Sequence, residues 1–361
     1  MTTLQVAPYN FHVPVRQMEN YHARDLDLKH IANVSPTAEM TAAQQHCDLS
    51  WIPVIDIKAF DITKEENEVD RKEMEKLAND VFKAFSTVGF VYVKNHGIPQ
   101  DQLENIFSLA DEFFAQPQET KDKFIRPLSD PSGIGYIPIG REMESFDAIP
   151  GGAYNQLWPG IPNFEKDVVE FHRTCAKLSL RMLKLIGMGL GLEDQNELLA
   201  CHTNLVNWRD NSSTTLRLLT YPPYTEKEDL TPGQTRCGEH TDYGSITLLF
   251  QDDIGGLEVQ TVAGEYKPAT PIPDTIVVIL ADMMPRWTSD RLKATLHRVV
   301  PSHRNNRRRS LIYFTDPDRS TIVKPLDGSD TYPPICYTRY VTQQFVSTGI
   351  LGEDHYGDVA E

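Results

Sequence analysis

The sequence predicts a mainly β fold with flanking helices, and three observations predict it. Strand-like runs rich in β-formers crowd residues 216–314. Three apolar stripes at helical spacing precede them. A stretch rich in glycine and proline, 130–162, separates the second stripe from the third. The expected organisation is an N-terminal arm at 1–50, a helical and strand region at 51–190, a β core at 191–325 and a C-terminal segment at 326–361.

Taken in order, residues 1–50 show little periodicity, as an arm or leader would. Ile52-Pro53-Val54-Ile55-Asp56-Ile57 has the composition of a strand. Met74, Leu77, Ala78, Val81, Phe82 and Phe85 recur at three- and four-residue intervals, which places them on one helix face. Gly89-Phe90-Val91-Tyr92-Val93 is a second strand, stopped by Asn95-His96-Gly97. Leu103, Ile106, Phe107, Ala110, Phe113 and Phe114 predict a second helix, and Val168 to Ile186 a third across about 165–191. The stretch 130–162 carries Gly133, Gly135, Gly140, Gly151, Gly152 and Gly160, and is expected to be an irregular loop over a site. Beyond it, Ser245-Ile246-Thr247-Leu248-Leu249-Phe250 is a strand, Gly255-Gly256 turns the chain into Leu257-Glu258-Val259-Gln260, and Thr295 to Val300 and Ser310 to Phe314 are strands again.

Composition narrows the function classes. With 361 residues, 40% hydrophobic and 24% charged, the balance is that of a globular protein. The apolar runs are too short to cross a membrane, and the N-terminus has no secretory pattern. Five cysteines without CxxC spacing are expected to be reduced thiols, which favours a cytoplasmic protein. A formal net charge of −16 excludes nucleic acid as the expected partner, because phosphate neutralisation needs a basic face. Neither a membrane nor a protein partner is implied; a small molecule is.

The chemistry sits in His240, Asp242 and His297, followed by Arg308 and Ser310. Two imidazoles and one carboxylate suit non-haem Fe(II), and three protein ligands leave positions open for a co-substrate and O₂. Arg308 adds a planar fork for a carboxylate. Alone, each residue reads as an ordinary strand histidine or a turn aspartate. His46-Cys47-Asp48 with His96 repeats the first part of the pattern, but Phe107 stands where the arginine would be needed. Alternation along a strand sends Arg308 and Ser310 to one face and Arg309 to the other, and would let His240 and Asp242 converge. Ligands so far apart in sequence meet in an antiparallel barrel of paired strands.

With those residues in place, the chain resembles the isopenicillin N synthase-like branch of the Fe(II)/2-oxoglutarate-dependent dioxygenases over about 52–320. The resemblance rests on Ile52 to Asp56, on Gly89 to Ile98, on Arg217-Leu218-Leu219-Thr220-Tyr221-Pro222-Pro223 and on His240-Thr241-Asp242-Tyr243-Gly244. It continues through Gln251-Asp252, Gly255 to Val259, His297-Arg298-Val299 and Arg308-Arg309-Ser310. It implies a double-stranded β-helix (jelly-roll) core, iron on His240, Asp242 and His297, and 2-oxoglutarate held at its distal carboxylate by Arg308, Ser310 and Tyr221. Many plant members carry Asn where this chain has Leu219, and His96 is read as structural.

The expected activity is oxidation of a C–H bond in a small molecule, with 2-oxoglutarate decarboxylated to succinate and CO₂, O₂ consumed, and ascorbate as an activator. A carboxylate-bearing substrate derived from an amino acid and a flat hydrophobic natural product both fit this expectation. Tyr136, Arg141, Tyr154 and Trp158 from the glycine-rich stretch, and Phe314 four residues past Ser310, are the candidate substrate contacts. Three alternatives stand beside this reading: a cyclase or desaturase outcome of the same chemistry, an Fe(II) oxidase that uses no 2-oxoglutarate, and a non-catalytic metabolite-binding protein of the same fold.

Overall fold

The computed structural model describes residues 51–65, 69–126, 135–139, 142–149, 158–207, 213–224, 233–302 and 306–348. The expectations for the arm, the His46-Cys47-Asp48 copy, Arg141, Tyr154 and the end of the C-terminal segment fall outside these residues.

The chain opens with β1 (Val54–Asp56), α1 (Arg71–Val88), β2 (Phe90–Lys94), α2 (Gln100–Phe114) and the single turn α3 (Gln118–Lys121). Helix α1 starts where the Asp70 carboxylate accepts from the backbone N–H groups of Lys72 and Glu73 at 3.0 and 3.2 Å. It ends at Gly89, whose φ of 75° is the left-handed conformation that glycine adopts without steric cost. There follow β3 (Gly135–Ile139), β4 (Met143–Ala148), the long α4 (Phe164–Leu190) and two short turns, α5 (Glu197–Ala200) and α6 (Asn204–Asn207). The core strands are β5 (Thr215–Tyr221), β6 (Cys237–His240), β7 (Ile246–Gln251), β8 (Leu257–Gln260), β9 (Tyr266–Pro268) and β10 (Thr275–Leu280). After α7 (Met283–Thr288) come β11 (His297–Val299), β12 (Arg308–Thr315), β13 (Ile322–Val323), β14 (Ile335–Cys336) and α8 (Tyr337–Ser347).

Eight strands form one sheet in the order β1-β2-β10-β7-β12-β5-β4-β3, and four form a second in the order β6-β11-β8-β9. Apart from the parallel β1–β2 pair, neighbours in both sheets run antiparallel. Strand alternation explains the layering. Phe146, Leu216, Leu218, Leu248, Phe250, Leu311 and Tyr313 point to one side, where they join Val81, Phe113, Leu178 and Met182 of the helices in the main core. Each such side chain contributes about 1.5–3 kcal/mol by leaving water. On the other side, Tyr92, Leu249, Val277 and Ile279 pack against Leu257 and Val259 of the smaller sheet. Two antiparallel sheets facing each other, with helices outside the larger one, make the expected jelly-roll core. The site lies between the sheets, at the end where β6 and β11 face β5 and β12.

Two expectations need correction. The stretch 130–162 is not wholly irregular: β3 and β4 form a hairpin that extends the large sheet, with Glu144 to Ala148 of β4 paired to Thr220 to Leu216 of β5. Glycine is compatible with strands here because Gly135 falls at a strand end, while Phe146 and Ala148 further along the hairpin are fully buried. The segment 326–361, for which the sequence predicts no element, contains β14 and α8. No described helix is long and apolar enough to cross a membrane.

Candidate metal and co-substrate site

His240 ends β6 and His297 begins β11, and the two stand directly opposite each other in the antiparallel ladder. Their ring centroids are 4.3 Å apart. Asp242 lies two residues beyond the strand, so a turn and not strand alternation delivers it. That turn is pinned from three places. The Asp282 N–H donates to the Asp242 carbonyl at 2.9 Å, the Met283 N–H to the Gly244 carbonyl at 3.0 Å, and the Ser245 N–H to the Thr315 carbonyl at 2.9 Å. Gly244 is required there: a Cβ would stand 2.7 Å from the Thr315 carbonyl oxygen and collide with Asp316. From behind, Ser245 shares a 2.7 Å hydrogen bond with the buried His202 ring.

The three side chains converge. Asp242 Oδ1 lies 3.8 Å from His240 Nε2 and 3.9 Å from His297 Nε2, and one ligand atom from each residue falls within 4.8 Å of the others. Donors this close could hold one cation together and would leave its other positions open. Backbone carbonyls fix the tautomers: Gly238 accepts from His240 Nδ1 at 2.8 Å and Thr295 from His297 Nδ1 at 3.2 Å, which leaves both Nε2 lone pairs for a metal. Phe90 packs edge-on against the His297 ring with centroids 5.4 Å apart. Asp242 Oδ2 is buried and has no hydrogen-bond partner. An orphaned carboxylate oxygen beside two idle imidazole nitrogens fits a cation. Burial disfavours charge on both rings. On His240 it is outweighed by Cys237, Asp242 and the Gly238 carbonyl, which raise the pKa to about 10. On His297 burial and the neighbouring His240 prevail and lower it to about 4.

Across the gap, β12 pairs with β5 so that Arg308 faces Tyr221 and Ser310 faces Leu219. Arg308 and Ser310 are 3% and 1% exposed, and both turn inward as alternation requires. The Arg308 guanidinium donates from Nε to the Gly255 carbonyl at 2.8 Å, reaches Ser310 Oγ at 3.4 Å and stacks 4.9 Å from the centre of the Tyr221 ring. Gly255 and Gly256 carry φ of 77° and 93°, and a Cβ on Gly256 would press on the Val300 carbonyl at 2.6 Å. Only glycine at this turn lets β8 close on the end of β11 and aim a carbonyl at Arg308. Arg309 goes to the other face, where it meets Asp111 at 2.9 Å beside Arg307 at 2.8 Å.

Of the candidate substrate contacts, Phe314 faces the interior, with the Arg217 guanidinium 5.3 Å from its ring centre. Tyr136 and Trp158 do not. Tyr136 is 1% exposed, packs on Phe113 and donates to Glu144 at 2.8 Å, while Trp158 packs on Phe146 and Phe164. Both belong to the core under the helices, because the hairpin they flank is sheet and not a lid. Arg217 and Asp147 were missed. Arg217 donates to Asp147 through Nε at 2.7 Å and Nη2 at 2.8 Å, and Arg126 adds a third contact at 3.1 Å. The signal was present for Arg217, which lies four residues before Tyr221 on one strand and so shares its face. Asp147 gave none, because it lay in the segment taken for a loop. His96 accepts from the Ile98 N–H at 3.1 Å, a structural role.

Residues 52–150 match the family profile of the non-haem dioxygenase in morphine synthesis N-terminal region, and 210–317 match that of the 2OG-Fe(II) oxygenase superfamily. The proline hydroxylase buaE of Petromyces alliaceus is 33% identical over 301 residues, covering 76% of this chain and 91% of that one. The 2-oxoglutarate-dependent dioxygenase frbA of Dothideomycetidae sp. is 28% identical, over 76% of this chain and 88% of the relative. Among solved structures, a full-length Neurospora crassa protein in complex with alpha-KG superposes with a TM-score of 0.72 at 30% identity, covering 82% of this chain and 96% of that one.

Proposed function

Because this chain belongs to the 2OG-Fe(II) oxygenase superfamily, we propose that His240, Asp242 and His297 hold ferrous iron and that Arg308, Ser310 and Tyr221 hold the distal carboxylate of 2-oxoglutarate. The protein is a 2-oxoglutarate-dependent dioxygenase that acts on a small molecule. The observation that carries the residue roles is the set of unmet valences: Asp242 Oδ2 without a partner among the described residues, two Nε2 atoms near the other oxygen of the same carboxylate, and a buried Arg308 whose described contacts are a carbonyl, a hydroxyl and an aromatic ring.

Bound iron supplies the oxidising chemistry with O₂ and the keto acid; the chain supplies position and exclusion of water. Arg308 and Ser310 fix the far end of the co-substrate, so its keto and adjacent carboxylate groups face the triad. The Tyr221 ring forms one wall. Leu219, Tyr221 and Val299 pack together with Ile312 against them and give the anchor an apolar surround.

The substrate enters from the Phe314 side, opposite Arg308 along β12. Phe314 offers an apolar plane, and the Arg217 guanidinium beside it keeps a partly exposed edge while both Asp147 oxygens are engaged. Such a wall suits a small molecule carrying a carboxylate, such as an amino-acid derivative. The relatives include proteins named proline hydroxylase and 1-aminocyclopropane-1-carboxylate oxidase, which supports this substrate class. Free thiols at Cys175, Cys201, Cys237 and Cys336 favour a reducing compartment, the cytoplasm. The test is a mass-spectrometric screen of candidate metabolites with iron, 2-oxoglutarate and ascorbate. Succinate release that depends on one added compound identifies the substrate. Turnover of a substrate without 2-oxoglutarate would contradict the co-substrate site.

A further inference from the structure

The turn that carries Asp242 is held on its outer side by the C-terminal helix. Four residues of α8 and its cap make these contacts: Tyr337, Tyr340, Phe345 and Thr348. Each meets the turn or a carboxylate lying against it. Tyr340 donates to Asp282 Oδ2 at 2.6 Å. Asp282 also accepts from the side chain of Thr241, the residue between the two ligands, and its N–H holds the Asp242 carbonyl. Tyr337 is hydrogen-bonded to Asp316, whose carboxylate lies against Gly244. The Phe345 ring meets Tyr243 edge-on with centroids 5.8 Å apart, and Thr348 is hydrogen-bonded to the Tyr243 side chain.

The use made of Asp282 is the telling detail. It occupies the N-cap of α7, where an aspartate ordinarily accepts from the first free N–H groups of its own helix. Here its side chain makes no such bond. Its acceptors are turned away from α7, towards Thr241 on one side and Tyr340 on the other. A capping contribution is given up, and a link from α8 to the ligand turn is made in its place.

We infer that α8 is a positioning element for the metal centre, acting through Tyr340–Asp282–Thr241 and Phe345–Tyr243 to hold the Asp242 turn at the spacing the ion requires. The inference rests on the metal reading of His240, Asp242 and His297. None of the α8 residues touches the donors, so they are positioning residues. Outer partners that orient ligands typically change metal affinity about 10- to 100-fold when removed. Tyr340 and Phe345 are only half-buried, and Tyr340→Phe removes a hydroxyl while keeping the ring that packs on the main core.

The experiment is Mn(II) binding to the full chain, read by electron paramagnetic resonance, alongside thermal unfolding of the metal-free protein. Tyr340→Phe and Phe345→Ala are each expected to weaken Mn(II) binding several-fold, and the double variant by about tenfold or more. The bound-ion spectrum should broaden as the turn loosens, while metal-free melting stays close to that of the parent. Ser347→Ala, exposed on the same helix, is the control and should bind as the parent does. If the parent itself fails to bind Mn(II), the metal reading falls. If the parent binds and both variants match it in affinity and spectrum, the role of α8 is overturned. Should Tyr340→Phe melt early, Phe345→Ala decides alone.

Discussion

Arg308 and Arg217 stand on neighbouring strands, on the same inner face, and differ in what surrounds them. Arg217 is closed by a two-point bond to Asp147 at 2.7 and 2.8 Å, and Asp147 is closed again by Arg126. The two arginines, with burial opposing them, hold the Asp147 carboxyl below its ordinary pKa. Arg308 is 3% exposed, yet among the described residues it makes no ion pair; a carbonyl, a long contact to Ser310 and an aromatic face are what it has. Leaving a buried cation without its anion costs several kcal/mol, and a site tolerates this only where the anion arrives with a ligand. The same contrast separates Asp242, with one oxygen idle, from Asp147, with both occupied. Unmet valence marks where ligands bind; met valence marks walls.

The sharpest way to break this contrast is at Asp242. Asp242→Ala removes the anionic donor and should lower succinate formation at least about 1,000-fold, while folding is preserved because no described side-chain hydrogen bond is lost. Succinate formation near the parent rate in that variant would contradict the assignment. Next comes Arg308→Leu. It deletes charge-assisted bonds worth about 3 kcal/mol together, so the 2-oxoglutarate requirement should rise about 100-fold with Mn(II) affinity unchanged. An equal requirement in variant and parent would return Arg308 to a structural role.

A third effect is on pH. Against burial, Cys237 and Asp242 raise His240 to about 10, whereas burial and His240 lower His297 to about 4. Cation uptake requires both rings neutral, so Mn(II) affinity should rise as the pH is raised. A flat profile would mean the pair is already neutral. The smallest effect is on the wall. Phe314→Ala should raise the KM for the substrate by about 2- to 10-fold through the lost aromatic face, and leave the 2-oxoglutarate requirement alone. A shift in the latter instead would place Phe314 with the anchor.

The sequence revealed the unmet part of this site and hid the met part, for a physical reason. His240, Asp242, His297, Arg308 and Ser310 are rare residue types for a barrel interior, and their spacing survives without knowledge of the register. Arg217 and Asp147 belong together only because β4 pairs with β5 so that Asp147 faces Arg217, a fact no local pattern contains. Tyr136 and Trp158 looked like lid aromatics among glycines; once β3 joins the sheet, its alternation turns Tyr136 into the helix-side core. The long helices were legible because α1, α2 and α4 each bury a full apolar stripe. Helix α8 was not, since Tyr337 is its one buried residue and Tyr340 and Val341 are only partly buried against the core.

The most direct measurement is an anaerobic titration of the Fe(II)-loaded protein with 2-oxoglutarate, following the metal-to-ligand absorption band. The parent should develop the band to one equivalent, Arg308→Leu should develop it only at much higher concentration, and Asp242→Ala should not develop it at all. A parent that binds iron yet gives no band, or an Asp242→Ala variant that titrates like the parent, would contradict the site described here.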